Sequence, residues 1–250
     1  MKFYFKYSNI FIEVTGMYKE KIVITSNDVD KFLNLKVSSF FKYFQQVSTK
    51  HSEIIKVGTA DTIDKGMSWV IIRMEVRIYD YPKMNEEVLV TTHPGEVKMF
   101  LFPRYYEMYD KKGKLLASSS AMWVVLDSKT RRVLNKPFGD RKFPSETCKD
   151  DIPLPEKIKI GEVTKYEDRV VRYSDIDLNG HLNNTKYIDF MLDTKEAGFY
   201  DDKLITKIVV NYDKELREGE KVSLYVNDNV VQGKNEYVSY FAAYIEYKNR

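Results

Sequence analysis

The stretch "SDIDLNGHLNNTKYIDFMLD", residues 174–193, changes character halfway along its length. Its first half crowds aspartates, asparagines and one histidine around Gly180. Its second half places Tyr187, Phe190 and Met191 three or four residues apart, which is the spacing of one face of a helix. The pattern predicts a polar turn that leads directly into a helix with one buried side.

The composition is that of a globular chain with an aromatic interior. Hydrophobic residues make up 43% and charged residues 31% of the 250, with 19 Tyr and 14 Phe. Forty basic against 37 acidic side chains leave a net charge of +3, too near balance to favour a nucleic-acid binder. We find no run of about 18 apolar residues and no signal-peptide core, so we expect no membrane span and a cytoplasmic location.

The residues that usually hold metals or form disulfides are scarce. Cys148 is the single cysteine, and the three histidines, His51, His93 and His181, lie far apart in sequence. We therefore expect no intramolecular disulfide and no structural zinc site. We interpret Cys148 as incidental, because nothing near it in the sequence resembles a His-paired nucleophile.

Part of the opening stretch resembles the start of a calcium-binding loop. "DIDLNG" begins at Asp175 and matches the first positions of such a loop. The twelfth position, which should hold a bidentate glutamate, is Lys186. A cation at that position argues against calcium, and the simplest alternative is an Asn/Asp-rich turn that caps a core helix.

The chain repeats one plan in two halves, which are separated by a segment that contains four of the seven prolines. "LNLKVSSFFKYFQQ" aligns with "LNGHLNNTKYIDFM" at an offset of 145 residues, from Leu33 to Leu178. Each of these segments runs into a helical pattern. The repeat therefore predicts two structurally similar domains.

Segments with alternating Val, Ile, Tyr and Phe follow each helical pattern, as is typical of antiparallel strands. They lie at 69–80, 86–97, 99–110 and 114–127 after the first helix, and at 206–216, 220–232 and 237–248 after the second. "DKKG" at 110–113 predicts a hairpin turn. Because a sheet must cover its apolar face, we predict two α+β units, each an antiparallel sheet wrapped around a long central helix.

The repeat also sets the predicted domain boundaries. Residues 1–135 form the first domain, residues 136–160 a Pro-rich linker and residues 161–250 the second domain. Because proline removes a backbone donor and fixes φ, the linker is predicted to be a connecting segment. Residues 1–17 are either an added edge strand or an upstream extension.

The spacing D-x-N-x-H places Asp177, Asn179 and His181 at alternate positions. Alternate residues of an extended segment face one side, so these three side chains are predicted to point into one pocket in front of the helix. Asn183 or Asn184 is the expected N-cap, because its side chain can accept from the first-turn amides.

The start of the predicted helix suits an electrophilic carbonyl. Its unpaired backbone amides carry the positive end of the helix dipole. Such donors stabilise a carbonyl oxygen that becomes negative during a reaction. Gly180 has no side chain, so a substrate can approach its backbone closely. We expect Gly180 and Asn183 to contact the substrate.

The motif D-x-N-x-H-x-N-N-x-x-Y-x-x-x-x-x-D, residues 177–193, resembles the second-domain signature of the acyl-acyl carrier protein (acyl-ACP) thioesterases. A further site element of that family, a glutamate in a Y-x-x-E segment, is matched by Tyr212 and Glu215. The repeat resembles the family's two tandem hotdog folds. The resemblance implies an α+β tandem double hotdog protein that hydrolyses fatty acyl-ACP to free fatty acid and carrier, which ends fatty-acid synthesis. It also implies ACP as partner and no cofactor, and it leaves a homodimer open.

The resemblance implies a role for each matched residue. His181 and Glu215 would position and deprotonate a water molecule. Asp177 would either orient a partner or act itself as base or nucleophile. Asn179, together with the amides of residues 180–183, would bind the thioester carbonyl.

One position departs from the pattern. Some family members carry a cysteine directly after the glutamate, and here that residue is Leu216. The only thiol, Cys148, lies in the Pro-rich linker. A cysteine acyl-enzyme at the matched site is therefore excluded by composition.

The first half lacks the matched site residues. The aligned positions carry other side chains: Phe32 opposite Asp177, Lys36 opposite His181 and Tyr81 opposite Glu215. We predict that this half supplies an acyl-chain tunnel lined by Phe40, Phe44, Trp69 and Ile71. The alternative is that these four residues are merely core.

A basic run near the end of the first half is a candidate docking patch for an acidic carrier. It consists of Lys129, Arg131, Arg132, Lys136, Arg141 and Lys142. The alternative is a solvated surface without a partner. Three other functions stay open at this point: an acyl-CoA thioesterase, a hotdog dehydratase and a non-hydrolytic acyl-binding protein.

Overall fold

The structure is a computed structural model that describes residues 10–12, 16–143 and 152–250. The chain divides into two compact units, Met1–Pro155 and Glu156–Arg250. Cys148 lies outside the described residues, so its interpretation as incidental stays a prediction.

The first unit contains one long helix and a six-stranded antiparallel sheet. Its elements are β1 (Ile10–Ile12), β2 (Tyr18–Val23), α1 (Val37–Ile54), α2 (Thr59–Ile63), β3 (Met67–Ile78), β4 (Glu87–Pro94), β5 (Phe102–Tyr109) and β6 (Leu115–Asp127). The strand order is β1-β2-β4-β5-β6-β3. The hairpin predicted at 110–113 is confirmed, because the Gly113 amide donates to the Asp110 carbonyl at 3.1 Å.

Helix α1 forms the core of this unit because its apolar face is large and aromatic. Phe40, Phe44 and Val47 recur at the helical spacing and are fully buried. The Phe44 ring lies 5.3 Å from that of Tyr106 on β5. Burying one such side chain contributes about 1.5–3 kcal/mol, so this face holds the helix against the sheet.

The second unit contains one short helix and a five-stranded antiparallel sheet. Its elements are β7 (Thr164–Val170), α3 (Asn184–Leu192), β8 (Lys203–Tyr212), β9 (Lys221–Val226), β10 (Val230–Lys234) and β11 (Ser239–Asn249). The strand order is β8-β11-β10-β9-β7. The fold class predicted for each half, an antiparallel sheet with one central helix, is confirmed.

Three details of the second unit differ from the sequence prediction. Helix α3 has nine residues where α1 has 18, so only the first helix is long. The segment predicted as one strand at 220–232 is split into β9 and β10 by a turn that the Asn227 side chain closes. Strand β7 was not predicted, because "TKYEDRV" is a charged edge strand without apolar alternation.

The two units repeat at an offset of 147 residues around the helix entry, and the sequence-based offset of 145 is wrong. A short 3-10 turn stands at Ser26–Asp28 in the first unit and at Tyr173–Asp175 in the second. An isolated antiparallel bridge joins Val29 to Leu35 in one and Ile176 to Leu182 in the other. The alignment failed because it matched a Leu-Asn pair of letters, whereas the structure repeats the hydrogen-bonded turn.

The corrected offset changes the partners of two site residues. Asp177 corresponds to Asp30 and not to Phe32. His181 corresponds to Asn34 and not to Lys36. The pairing of Glu215 with Tyr81 is unaffected, because Pro82 and Leu216, one residue further on, accept the equivalent amides of Leu35 and Leu182.

Candidate functional site

The loop in front of α3 is closed by one aspartate. The Asp177 Oδ1 accepts from the Asn179 amide at 2.8 Å and from the His181 amide at 3.4 Å. The Asp177 amide donates to the His181 carbonyl, and the Gly180 amide donates to the Asp177 carbonyl. Gly180 has φ +77°, and the space where a Cβ would stand is open. This loop therefore presents His181 next to a bare stretch of backbone.

Asn183 is the N-cap of α3, as predicted. Its Oδ1 accepts from both the amide and the hydroxyl of Thr185 at 2.9 Å. The Asn183 amide donates to the Asp175 carbonyl, and the Leu182 amide donates to the Leu216 carbonyl at 2.7 Å. The predicted substrate contact of Asn183 thus competes with a structural role of the same side chain.

The backbone amides of residues 180–183 were expected to bind the thioester carbonyl, but all of them are already paired within the protein. Each of the four donates to a protein acceptor, the His181 amide at the long distance of 3.4 Å. None of them is free for a substrate oxygen in this structure. The Asn179 side chain is exposed and has no hydrogen-bond partner among the described residues, so it remains the candidate donor.

Glu215 is held against this loop by the segment that joins β8 to β9. The amides of Asp213 and Lys214 donate to the Tyr240 carbonyl, and the Leu216 carbonyl accepts from Leu182. These bonds bring the Glu215 Oε2 to 3.2 Å from the His181 Nε2, with 27% and 17% of the two side chains exposed. The structure therefore brings together His181 and Glu215, two of the four predicted catalytic residues, in a half-buried pair.

The sequence-based interpretation of Tyr187 as a core residue is confirmed, because its ring packs edge-to-face against Tyr212 and Phe241. Its side chain is buried, and burial raises the pKa of its hydroxyl. The charges of the Glu215 and Asp177 carboxylates raise that pKa further.

The residues predicted to line an acyl tunnel are packed in the first unit. Phe40 and Phe44 are fully buried, and Ile71 is nearly so. The Trp69 ring nitrogen donates to the Val57 carbonyl at 2.7 Å. Phe40, Phe44 and Ile71 are therefore core residues, whereas Trp69 is half-buried, and a role of the four in chain binding stays a prediction.

Part of the predicted docking run serves the first unit itself. The Arg141 guanidinium donates to the carbonyls of Ile55 and Lys56 and lies over the Phe143 ring. The Lys136 ammonium pairs with Asp140 at 2.8 Å on the surface. The other four cations of the run stay candidates for docking.

The cation that argued against calcium lies among carboxylates. The Lys186 Nζ is 3.9 Å from Asp175 Oδ1 and 3.5 Å from Asp189 Oδ2. Within residues 16–143 and 152–250, we find no group of three His, Cys, Asp or Glu side chains placed to hold a metal. No helix in this part of the chain is both long and apolar enough to span a membrane.

Two units that each wrap an antiparallel sheet around one helix define a tandem hotdog protein, and solved structures share this fold. An acyl-ACP thioesterase from Bacteroides thetaiotaomicron has a TM-score of 0.84 at 23% identity and covers 93% of this chain and 98% of its own. The 12:0-ACP thioesterase from Umbellularia californica has a TM-score of 0.76 at 18% identity, and the match covers 94% of this chain and 98% of the other.

Both units match models of one family. Residues 15–137 match the acyl-ACP thioesterase N-terminal domain, and residues 158–243 match the acyl-ACP thioesterase C-terminal domain. The chain belongs to the acyl-ACP thioesterase family, which confirms the resemblance drawn from the sequence.

Curated plant relatives are similar along most of this chain. Oleoyl-acyl carrier protein thioesterase 1 from Arabidopsis thaliana is 25% identical over 87% of this chain and 66% of the relative. Palmitoyl-acyl carrier protein thioesterase from the same plant is 23% identical over 80% of this chain and 52% of the relative. The chain therefore spans between half and two thirds of the length of these relatives.

Proposed function

We propose that this protein hydrolyses the thioester of fatty acyl-ACP, releasing the free fatty acid and the carrier thiol. The observation that carries the proposal is the 3.2 Å contact between His181 and Glu215 at the tip of α3. Membership in the acyl-ACP thioesterase family supports the choice of substrate. The two plant relatives are named for oleoyl and palmitoyl carrier thioesters and one solved structure for a 12:0 carrier thioester, so these three acyl chains are the first substrates to test.

The His181–Glu215 pair suits activation of water. A carboxylate only accepts hydrogen bonds, so the His181 Nε2 that faces Glu215 carries a hydrogen. In the neutral ring Nδ1 is then the acceptor and takes the proton of an attacking water. Glu215 stabilises the imidazolium that forms, in the way a carboxylate supports the histidine of a catalytic triad.

The remaining steps of the hydrolysis use only water and the side chains of this site. The water oxygen bonds to the thioester carbon, and the tetrahedral intermediate collapses by breaking the carbon–sulfur bond. The proton held by His181 passes to the departing thiolate, so the products are a carboxylic acid and a thiol. We assign the Asn179 side-chain amide to the carbonyl oxygen, because it is the exposed donor of the loop.

Asp177 has a structural role in the loop, and this role limits the part that its carboxylate can play in the reaction. Its Oδ1 is occupied by two backbone amides of the loop. We propose that its main role is to hold His181 in place, while a direct role as base or nucleophile would have to use the other oxygen. A cytoplasmic location and a homodimer both stay predictions.

The test is thiol release from a panel of acyl-ACP substrates. We expect steady turnover by the wild-type protein and a loss of turnover in Glu215→Gln. Glu218→Gln is the matched control, because Glu218 is exposed on the same segment, three residues away. Acyl-ACP that binds the wild-type protein without releasing thiol would indicate an acyl-binding protein instead.

The nearest alternative is an acyl-CoA thioesterase, because the catalytic pair does not distinguish one thiol leaving group from another. The same assay with acyl-CoA of equal chain length decides between them. Faster turnover of the carrier substrate supports the proposal, and faster turnover of the CoA substrate contradicts it.

A further inference from the structure

The second unit exposes large apolar side chains at the end where the catalytic pair lies. Among its described residues, Tyr173, Leu178 and Tyr237 are the most exposed of this kind, at 82%, 84% and 88%. The next two, Ile160 and Tyr166, are less than half exposed. Single exposed apolar residues are normal on a protein surface, whereas several at one place mark an interaction site.

Tyr173 and Leu178 flank the short segment that leads to His181. The Tyr173 carbonyl accepts from the Ile176 amide at 3.2 Å, which places Tyr173 in the turn directly before the loop in front of α3. Leu178 stands inside that loop, which the bond from the Asp177 amide to the His181 carbonyl closes. Both side chains are therefore presented by the backbone that also presents His181.

Tyr237 lies at the same end of the sheet, in the turn between β10 and β11. The Asn235 Oδ1 accepts from the Tyr237 amide at 2.9 Å. Beside this turn, the Ser239 hydroxyl donates to the Asp213 Oδ2 at 2.9 Å, at the start of the segment that carries Glu215. The two tyrosines and the leucine thus form an apolar rim at the end of the unit that holds the catalytic pair.

The first unit has polar residues at all three equivalent positions. At the offset of 147 residues, the two rim residues before α3 are replaced by Ser26 and Lys31. In the equivalent turn between β5 and β6, the Asp110 Oδ1 accepts from the Lys112 amide at 2.8 Å, so Lys112 takes the place of the third rim residue. All three replacements are exposed. The shared fold therefore does not require apolar side chains at these positions.

Charge alone does not select a partner for this end of the unit. Segments 172–180, 213–221 and 235–238 expose four Lys or Arg side chains and four Asp or Glu side chains. A partner that rests here is therefore held mainly by apolar contact, and exposed tyrosines are well suited to the centre of such an interface.

We propose that the apolar rim is the surface on which the carrier protein of the acyl-ACP substrate rests during hydrolysis. This rests on the proposed function, because a thioester that reaches His181 on a carrier arm brings the carrier to this end of the unit. The partner is a small protein with an apolar contact patch beside its thioester arm. Free acyl-CoA has no protein part that could cover the rim.

The first experiment compares acyl-ACP with acyl-CoA of equal chain length. In the double variant Tyr173→Ser/Leu178→Ser, we expect KM for acyl-ACP to rise about tenfold with kcat within about twofold, as the loss of central interface contacts would give. KM for acyl-CoA should change by less than about twofold. Tyr166→Ser is the matched control, because Tyr166 is a partly exposed tyrosine on β7, nearer the Thr164 end than the Val170 end beside the site.

Two kinetic outcomes would overturn the inference. An equal rise in KM for both substrates would mean that the rim contacts the arm that the carrier and CoA share. An unchanged KM for acyl-ACP would mean that the rim contacts no part of the substrate.

Binding of the carrier gives a readout that needs no hydrolysis. Holo-ACP, which has the arm but no acyl chain, is titrated into wild type and variants by calorimetry. We expect Kd to weaken about tenfold in the double variant and to stay unchanged in Tyr166→Ser. Equal Kd values, or no binding to wild type, overturn the inference. Weakened binding in the double variant of a protein that hydrolyses no thioester would refute the proposed function and support the carrier surface, so the two failures are distinguishable.

A second copy of this chain is the competing occupant of the rim. Sedimentation equilibrium should give the same mass for wild type and for the double variant. A wild-type dimer that the double variant converts to a monomer would overturn the inference, because the rim would then be a surface for self-association.

Discussion

The tips of α1 and α3 are built on one hydrogen-bond frame and differ in the side chains that the frame presents. In the first unit the Asp30 Oδ1 accepts from the amides of Phe32 and Asn34, as the Asp177 Oδ1 does in the second. Leu33 has φ +61°, as Gly180 has +77°. The two units share the hydrogen-bonded frame as part of their fold, and they differ in the side chains that could take part in a reaction.

The first tip is closed where the second is open. Asn34 is buried, and its Oδ1 accepts from the Lys83 ammonium at 2.5 Å. The equivalent His181 instead meets Glu215, and Gly180 beside it is exposed. The same backbone frame therefore holds a buried Asn–Lys bond at the first tip and a half-buried His–Glu pair at the second.

The largest expected effect comes from converting the second tip into the first. His181→Asn, and separately Glu215→Tyr, should each lower kcat for acyl-ACP by between about 10²- and 10⁴-fold, because the pair that activates water is broken. The measurement is thiol release under substrate saturation. An unchanged kcat in His181→Asn would rule out His181 as the base.

A second comparison concerns where ionisable groups are buried. Among the described residues of the second unit no Asp, Glu, His, Lys or Arg is fully buried, whereas the first unit buries several. His51 is one of them, and burial, followed by the charges of Arg104 and His93, lowers its pKa from 6.5 to about 3. The Arg104 guanidinium can only donate, so the His51 Nδ1 at 3.0 Å must be an unprotonated acceptor.

This buried histidine predicts a loss of stability in acid. Below pH 6.5 His51 is protonated in the unfolded chain, whereas in the folded chain it stays neutral down to about pH 3. Falling pH therefore favours the unfolded chain, which binds the extra proton. The cost is at most about 1.4 kcal/mol per pH unit. The difference between the free energies of unfolding of wild type and His51→Gln, measured in urea, should shrink as the pH falls from 6.5 to 5. Thr49→Ala, exposed on the same helix, should show no such trend.

The aspartates shared by the two tips predict a smaller effect. Asp177→Ala removes the acceptor of two loop amides and should lower the free energy of unfolding by about 1 kcal/mol. Asp177→Asn keeps an oxygen at that position and should stay within about 0.5 kcal/mol of wild type. Asp30→Ala and Asp30→Asn are the matched pair in the first unit. If Asp177→Asn folds normally yet loses more than a hundredfold in kcat, its charge takes part in the reaction.

The sequence was sufficient for the class of fold because alternation and helical spacing are local signals. It was sufficient for His181 and Glu215 only through a long motif, since nothing in the spacing alone brings residue 215 to residue 181. The offset of the repeat could not be read correctly, because Asp30 and Asp177 share a hydrogen-bond role but not a run of similar letters.

The smallest expected effect distinguishes the two helix caps. Asn183 caps α3 through its side chain, whereas Lys36 stands at the same place before α1 and makes no side-chain cap bond. The two residues have nearly the same backbone, with φ −56° and −58°. Asn183→Ala should therefore cost about 1 kcal/mol of unfolding free energy, and Lys36→Asn should gain about 0.5 kcal/mol. A loss in Lys36→Asn would mean that the bond from the Lys36 ammonium to the Asn27 carbonyl outweighs the missing cap.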